Sequence, residues 1–237
     1  MRLKVSRVLV TAGLLAAAML QGAAAQNITI DGHLSPAQTL VGPSYAITAN
    51  LGKQVGGNLF HSFGKFGLAS SESATFSGPA TVSNVIGRVT GGAQSNIDGK
   101  IASTITGASL YLINPSGIVF GPNATVDVSG GFHASTADYL RMSDGAKFQA
   151  TNPDTSTLSA ASPAAFGFLT AQPAKITVNG SSFGVPSRQT LGLVGGPVSI
   201  KGGILSAPAG TIHVTSAAGT VAWRSKASAL PPALDEE

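Results

Sequence analysis

From Gln26 onward the chain is interrupted so often by glycine and proline that apolar side chains never hold a helical spacing for long. What recurs instead is a pair of apolar residues separated by one smaller or polar residue. Ile28 and Ile30, Leu110 and Leu112, Val126 and Val128, Ile176 and Val178, Val198 and Ile200, Ile212 and Val214, and Val221 and Trp223 all show it. Each pair marks a short strand with one buried face. In the C-terminal third the pair returns every seven to nine residues, through LGLVGG, PVSIKGG, ILSAPAG, TIHVTSAAG and TVAW. Hairpins would show Asn-Gly or Asp-Gly between longer strands. Strands of three to five residues with glycine at the corners suit a chain coiling around an axis. The fold class expected is all-β, a parallel β-helix whose coils stack at roughly 4.8 Å so that like side chains form interior ladders. Coils of about 20 to 25 residues would number on the order of eight to ten. Val126, Val128, Val198, Ile200, Ile212 and Val214 are expected to point inward. A β-sandwich of similar strand content is the competing fold.

The segment from Met1 to Ala25 assigns the compartment. A basic start (Arg2, Lys4, Arg7), an apolar run from Val8 to Leu20 and the small-residue end Ala23-Ala24-Ala25 form a secretory signal peptide, with cleavage expected between Ala25 and Gln26. The run is too short for a hydrocarbon core that needs about 20 residues, so no stable membrane insertion is expected. Three of the 14 Lys and Arg lie in this segment and none of the 10 acids do, which leaves the mature chain at 11 minus 10, or +1. The basic pI near 9.6 therefore carries no argument for a nucleic-acid partner. Residues 26–224 read as one domain, and residues 225–237, with Pro231-Pro232 followed by Asp235-Glu236-Glu237, as a disordered tail. Ala150 to Ala165 reads as an exposed excursion between coils.

Catalytic chemistry finds little support. Cysteine is absent, which excludes thiol catalysis and Cys-ligated metals. A carbohydrate-cleaving β-helix needs clustered carboxylates, whereas Asp31, Glu72, Asp98, Asp127, Asp138, Asp144 and Asp154 are scattered. His33, His61, His133 and His213 form no zinc-type pair, and GGAQSNIDGK lacks the spacing and the Ser/Thr of a phosphate loop. No cofactor is expected. One motif remains, the turn Asn114-Pro115-Ser116-Gly117 between two apolar stretches in LYLINPSGIVFGPNATVDVSGGF. Pro115 presets the turn, Asn114 bonds backbone, and Gly117 eases re-entry into a strand at Ile118. On physical grounds alone a coil corner is the favoured reading, since turn chemistry accounts for every residue in it.

Several blocks together resemble a known family: GGNLFHSFGKFGL (Gly56 to Leu68), VSNVIGRVTGGAQSNIDGKI (Val82 to Ile101), LYLINPSGIVFGPNATVDVSGGFHAST (Leu110 to Thr136), and AFGFL through KITVNGSSFGV to QTLGLVGGPVSIKGGILSAPAGTIHV. In order and spacing they are similar to the filamentous-haemagglutinin N-terminal domain, the two-partner secretion domain. The resemblance implies a right-handed parallel β-helix with an N-terminal capping region, exported by the Sec route into the periplasm of a Gram-negative bacterium. It implies recognition by the periplasmic domains of an Omp85-type outer-membrane transporter and release as a secreted or cell-surface protein. The family's Asn-Pro-Asn-Gly-Ile motif falls on Asn114, Pro115, Ser116, Gly117 and Ile118, with Ser116 departing from Asn. Its Asn-Pro-Asn-Leu motif has no counterpart; the chain resembles the branch with Asn-Leu-Phe-His-Ser-Phe, on Asn58 to Phe63. Asn58, Phe60 and Phe63 join the motif residues as candidate recognition positions. Family members usually continue for hundreds of residues into a passenger, whereas this sequence stops at Glu237, as a stand-alone protein, a truncated gene product or a fragment. The alternative from another class is a surface adhesin that meets host or surface glycans or receptors through polar ladders, with polysaccharide lyase a distant third.

Overall fold

A computed structural model describes residues 27–217 and 220–222. The expected signal peptide, its cleavage point and the tail from Ser225 lie outside the described residues. Within them the chain is a parallel β-helix of about seven turns, and no helix is long and apolar enough to cross a membrane. Each coil visits three faces. The first holds β5 (Asn58–Phe66), β7 (Asn84–Val89), β10 (Ser109–Ile113), β13 (Phe132–Ser135), β19 (Thr190–Gly195) and β22 (Thr211–Ser216), all parallel. The second holds β8 (Ser95–Ile97), β11 (Ile118–Phe120), β17 (Ile176–Asn179) and β20 (Val198–Lys201). The third holds β3 (Ser44–Thr48), β6 (Ser73–Ser77), β9 (Lys100–Ser103) and β12 (Thr125–Asp127), with β18 (Ser182–Gly184) and β21 (Ile204–Ser206) as a separate parallel pair beyond β12.

The ladders follow from the dyads. Leu59, Val85, Leu110, Phe132 and Leu191 align across the first face and are all buried. Ile97, Phe120 and Val178 do the same on the second. Stacking like residues keeps each side chain in contact with the rung on either side, worth about 1.5–3 kcal/mol per buried Leu, Ile, Val or Phe. The N-terminal end is covered: β1 (Ile28–Ile30) runs antiparallel to β5 and to β2 (Gln38–Thr39), and β4 (Gly52–Val55) pairs antiparallel with β5. Beneath them Glu72 accepts hydrogen bonds from Asn27 Nδ2, Tyr45 Oη and the Ala69 amide at 2.7–2.8 Å.

Three expectations are corrected. Asn58 aligns with Asn84, Asn84 with Ser109, Leu110 with Phe132 and Leu191 with Ile212, so each of these coils has the expected solenoid length. Phe132, however, aligns with Leu191, more than two coil lengths further along the chain. The chain there leaves the solenoid, and fewer coils result than a uniform repeat predicts. Second, residues 151–162 are a strand-free segment, exposed or partly so, as expected, but the departure from the solenoid is wider than residues 150–165. Strands β14 (Tyr139–Met142), β15 (Lys147–Gln149) and β16 (Pro163–Gly167) form an antiparallel sheet, joined by β23 (Thr220–Ala222), and Ala150 and Ala165 are buried. Its Leu140, Met142, Phe148, Phe166 and Phe168 pack on Phe60, Ile86, Tyr111, Ile113 and Val194 from the outer side of the first face, making a second core. Third, of the six residues expected inside, Val128 is buried and Val126 and Val198 are partly so, whereas Ile200, Ile212 and Val214 are 39%, 43% and 45% exposed. Their face is the interior one, in register with buried Val178, Leu191 and Leu193. They occupy the last rung, with no strand of the described residues beyond it.

Candidate functional site

The turn at Asn114 joins β10 to β11, and its geometry follows from where the two strands must point. Gly117 N–H donates to the Asn114 carbonyl at 3.0 Å, closing the turn, and Gly117 sits at φ +110°, a conformation that favours glycine. The Asn114 side chain is 1% exposed. Its Nδ2 donates to the Ala93 carbonyl and to Ser95 Oγ, both at 2.9 Å, and its Oδ1 accepts the Ser116 amide at 2.9 Å. The backbone extends the stitching: Asn114 N–H donates to Ser135 at 2.9 Å, Ser95 N–H to Gly117 at 3.0 Å, and Ile118 N–H to Lys175 at 3.2 Å. One asparagine thus holds its own turn and binds it to the corner beneath, while Ile118 drives into the core. Pro115 and Ser116 are the partly exposed members.

The Asn58–Phe63 block lies in β5, where both faces are covered. Asn58, Phe60 and Ser62 point outward beneath the added sheet; Leu59, His61 and Phe63 point inward. Asn58 Nδ2 donates to the Ser159 and Ala161 carbonyls at 2.8 and 2.7 Å, and its Oδ1 accepts from Asn84 Nδ2 at 2.8 Å, a two-rung asparagine ladder that tethers the excursion. Phe60 meets Phe148 with ring centroids 4.9 Å apart, and Phe63 packs on Phe66 at 5.1 Å. His61 is buried among Phe63 and Phe76, with neither ring nitrogen in a hydrogen bond of ordinary geometry. Burial pushes its pKa down to about 4. The two blocks are not brought together: Asn114 stands at the corner between the first and second faces, whereas Asn58 begins a first-face strand two rungs earlier.

Sequence reasoning missed Arg88, which is fully buried. Its Nε donates to Ser62 Oγ at 2.7 Å, and its Nη1 to the Gln149 carbonyl and Ser156 Oγ at 2.5 Å and to the Pro153 carbonyl at 3.3 Å. The guanidinium lies 4.4 Å from the centre of the Phe148 ring. Burial pulls its pKa down to about 10, opposed by the charges of Asp31 and Asp154. Asp31 closes the network, accepting from Ser62 Oγ at 2.5 Å and Thr90 Oγ1 at 2.8 Å. Burial works to raise the Asp31 pKa, but the Ser62, His33 and Thr90 hydrogen bonds outweigh it and hold the carboxyl below its usual value. Arg88 therefore fastens the excursion to the solenoid. The one hint in the sequence is a cation inside the apolar run Val85-Ile86-Gly87-Arg88-Val89.

Among the described residues no three His, Asp or Glu side chains gather as a metal site. What the fold and its corners define is a capped parallel β-helix with an antiparallel sheet docked on one face. The chain belongs to the TPS secretion domain family, whose model matches residues 25–229. That is a family of secretion domains of two-partner exoproteins, not of enzymes. Over 79 residues, 33% of this chain and 8% of the relative, it is 34% identical to a heme/hemopexin-binding protein of Haemophilus influenzae. The crystal structure of the HMW1 secretion domain from Haemophilus influenzae is 21% identical at a TM-score of 0.48, covering 82% of this chain and 42% of that one. The chain thus spans less than half the length of either.

Proposed function

We propose that this chain is an export module: a periplasmic intermediate recognised by an Omp85-type transporter, carried across the outer membrane and folded outside the cell. The observation that carries it is the secretion-domain match over residues 25–229. The geometry supports a reading of when those positions could be recognised. In the folded coil the Asn114 amide is spent on Ala93, Ser95 and Ser116, Asn58 is spent on Asn84 and the excursion, and Phe60 and Phe63 are buried. A partner that reads Asn114 to Ile118, or Asn58, Phe60 and Phe63, meets them in the extended chain before the coils close. Folding then removes them from the transporter, and the hydrogen bonds gained favour the outward direction.

The test is the amount of protein in the medium when the chain is co-expressed with its cognate transporter. Asn114→Ala removes the side chain that would be read. Ser95→Ala removes a partner of that side chain in the folded corner and leaves the motif whole. Export should collapse in the first and persist in the second; equal losses would show that the corner matters only for stability.

A second role, as a surface adhesin, draws on the outer side of the third face. Ser44 and Thr48 are exposed there and Ser73, Thr75 and Ser77 partly so, a two-strand strip of small hydroxyl side chains open to glycans and bordered by the Lys100–Asp127 ion pair. Thr75→Arg would abolish glycan capture there, and unchanged capture would remove this face from consideration.

A further inference from the structure

Arg88 is held in place, but its charge is not met. The guanidinium is fully buried, and the acceptors of its Nε and Nη1 are all neutral: the Ser62 and Ser156 hydroxyls and the Gln149 and Pro153 carbonyls. Nη2 makes no hydrogen bond within the described residues. A buried cation ordinarily has an anion against it, because neutral oxygens replace only part of the hydration it gives up. The two carboxylates whose charge reaches Arg88 are engaged elsewhere. Asp31 accepts from Ser62, Thr90 and the His33 amide, and the exposed Asp154 pairs with His33 Nδ1 at 3.0 Å. Their fields do not offset burial, which still draws the Arg88 pKa down to about 10.

A hollow of about 350 Å³ opens beside it, near the lower end of the range for small-molecule sites, roughly 300–1,000 Å³. Three parts of the fold build it. The N-terminal cap gives Leu34 and Lys53, the excursion gives Ser156 and Leu158, and the solenoid gives Arg88, with the His33–Asp154 pair completing the wall. Lys53 stands opposite Phe60 across β4 and β5, which puts both side chains on the excursion side of the first face. It has no ion pair among the described residues. The hollow therefore presents two unmatched cations, one fixed and one on a flexible stem, beside the apolar side chains of Leu34 and Leu158. A guanidinium is planar and meets a carboxylate through N–H groups of fixed direction, which suits it to that anion. Asp31 and Asp154 stay close enough to repel a dianion such as phosphate more strongly than a single charge.

We propose that this hollow binds a small monocarboxylate with a short apolar body, its carboxylate between Arg88 Nη2 and Lys53 Nζ and its body against Leu34 and Leu158. Because cap, excursion and solenoid all contribute, the site exists only in the folded protein, and an occupant ties the three parts together and stabilises the fold. It is an activity of the protein after export, and it stands or falls apart from recognition of the extended chain by a transporter.

Propionate is the probe, titrated into the chain from residue 26 to 237 at constant ionic strength, with propionamide and inorganic phosphate as comparisons. The melting temperature should rise saturably with propionate, and the Arg88 Nε–Hε resonance should move along the same curve in a heteronuclear NMR titration. Propionamide and phosphate should do neither. Lys53→Met should weaken propionate binding about tenfold, the worth of one hydrogen bond to a charged group, whereas Lys53→Arg should keep it. Lys201→Met, at the opposite end of the solenoid, should leave it unchanged. Lys53 and Lys201 are exposed, so without ligand these variants should melt with the parent. Equal responses to propionate and propionamide would show that only the apolar body is held. Tighter binding of phosphate would assign the hollow to a different anion, and a propionate response intact in Lys53→Met would reduce it to general screening by anions. Each of these results, or no saturable response at all, overturns the proposal.

Discussion

Replacing Asn114 by alanine deletes three side-chain hydrogen bonds from one buried corner: two donated to Ala93 and Ser95, and one accepted from Ser116. Each has a net worth of about 0.5–1.5 kcal/mol, and a buried group left without a partner costs about 1–3 kcal/mol. Ser95 is buried, so its hydroxyl cannot turn to water when the amide is gone. The loss should therefore lie near about 3 kcal/mol. With a urea slope of about 2 kcal/mol/M, the middle of the usual range for small proteins, the unfolding midpoint should fall by roughly 1.5 M. Equilibrium urea titration of residues 26–237 by far-ultraviolet circular dichroism measures it, and comparing midpoints avoids assuming two-state unfolding of a stacked-coil fold. Asn114→Asp sharpens the test. It keeps the shape and the acceptor for Ser116 but faces the Ala93 carbonyl with an oxygen instead of an amide, so it should be no more stable than the alanine variant. An alanine midpoint within about 0.3 M of the parent, or an aspartate variant matching the parent, would show that the donated bonds do not hold this corner.

Three further outcomes follow, two from buried titratable groups and one from the turn at Gly117. Stability should fall between pH 7 and pH 5, because His61 and His133 are pushed by burial to pKa values of about 4 and about 3, the latter also by the charge of His213. Above the unfolded value near 6.5 both states are neutral; below it only the unfolded chain takes up the proton, costing about 2 kcal/mol per histidine at pH 5, and a flat midpoint across this window would refute it. Arg88→Met should cost about 3–5 kcal/mol, since it removes the charged donor to Ser62, Ser156 and the Gln149 carbonyl and leaves the partly buried Asp31 without the cation near it. Limited proteolysis should then cut within residues 152–162, and an unchanged digestion pattern would separate Arg88 from docking of the excursion. Gly117→Ala should cost about 1–3 kcal/mol by thermal melting, because φ is +110° and the new Cβ would stand 3.0 Å from Gln94 Nε2; an unshifted melt would show that the turn relaxes freely.

The solenoid was legible because its interior obeys a local rule. A dyad such as Ile176 and Val178 fits one face of one strand whatever lies elsewhere, and stacking turns it into a ladder with Ile118 and Phe120 below. The corner at Asn114 was legible for the same reason, since turn chemistry is contained within four residues. Burial at the last rung was not legible, because Ile212 carries the same pattern as Leu191 and is exposed only because no strand of the described residues follows it. Nor was the docking of the excursion: Arg88 and its partners Gln149 and Ser156 are separated by 61 and 68 residues, with no pattern linking them.

The block Asn58 to Phe63 shows how such long-range packing disguises itself in sequence. A strand with one wet face alternates, but all six of these residues are buried, the odd-numbered ones in the solenoid and the even-numbered ones beneath the added sheet. Polar side chains in such a strand must find partners inside the protein. Asn58 finds Asn84 and the Ser159 and Ala161 carbonyls, and Ser62 finds Asp31 and Arg88. A run that breaks alternation by mixing Asn, His and Ser with aromatics therefore records a second covering layer, as well as any partner that reads it. The two demands separate experimentally, because the covering layer exists only after folding. Phe148→Ala removes the ring packed on Phe60 without touching the block itself, so it should loosen the excursion, at about 3–5 kcal/mol for a buried phenylalanine, while leaving the extended chain that meets the transporter unchanged. Export that survives Phe148→Ala but fails in Phe60→Ala would assign the block to recognition; equal failure of both would assign it to the second core.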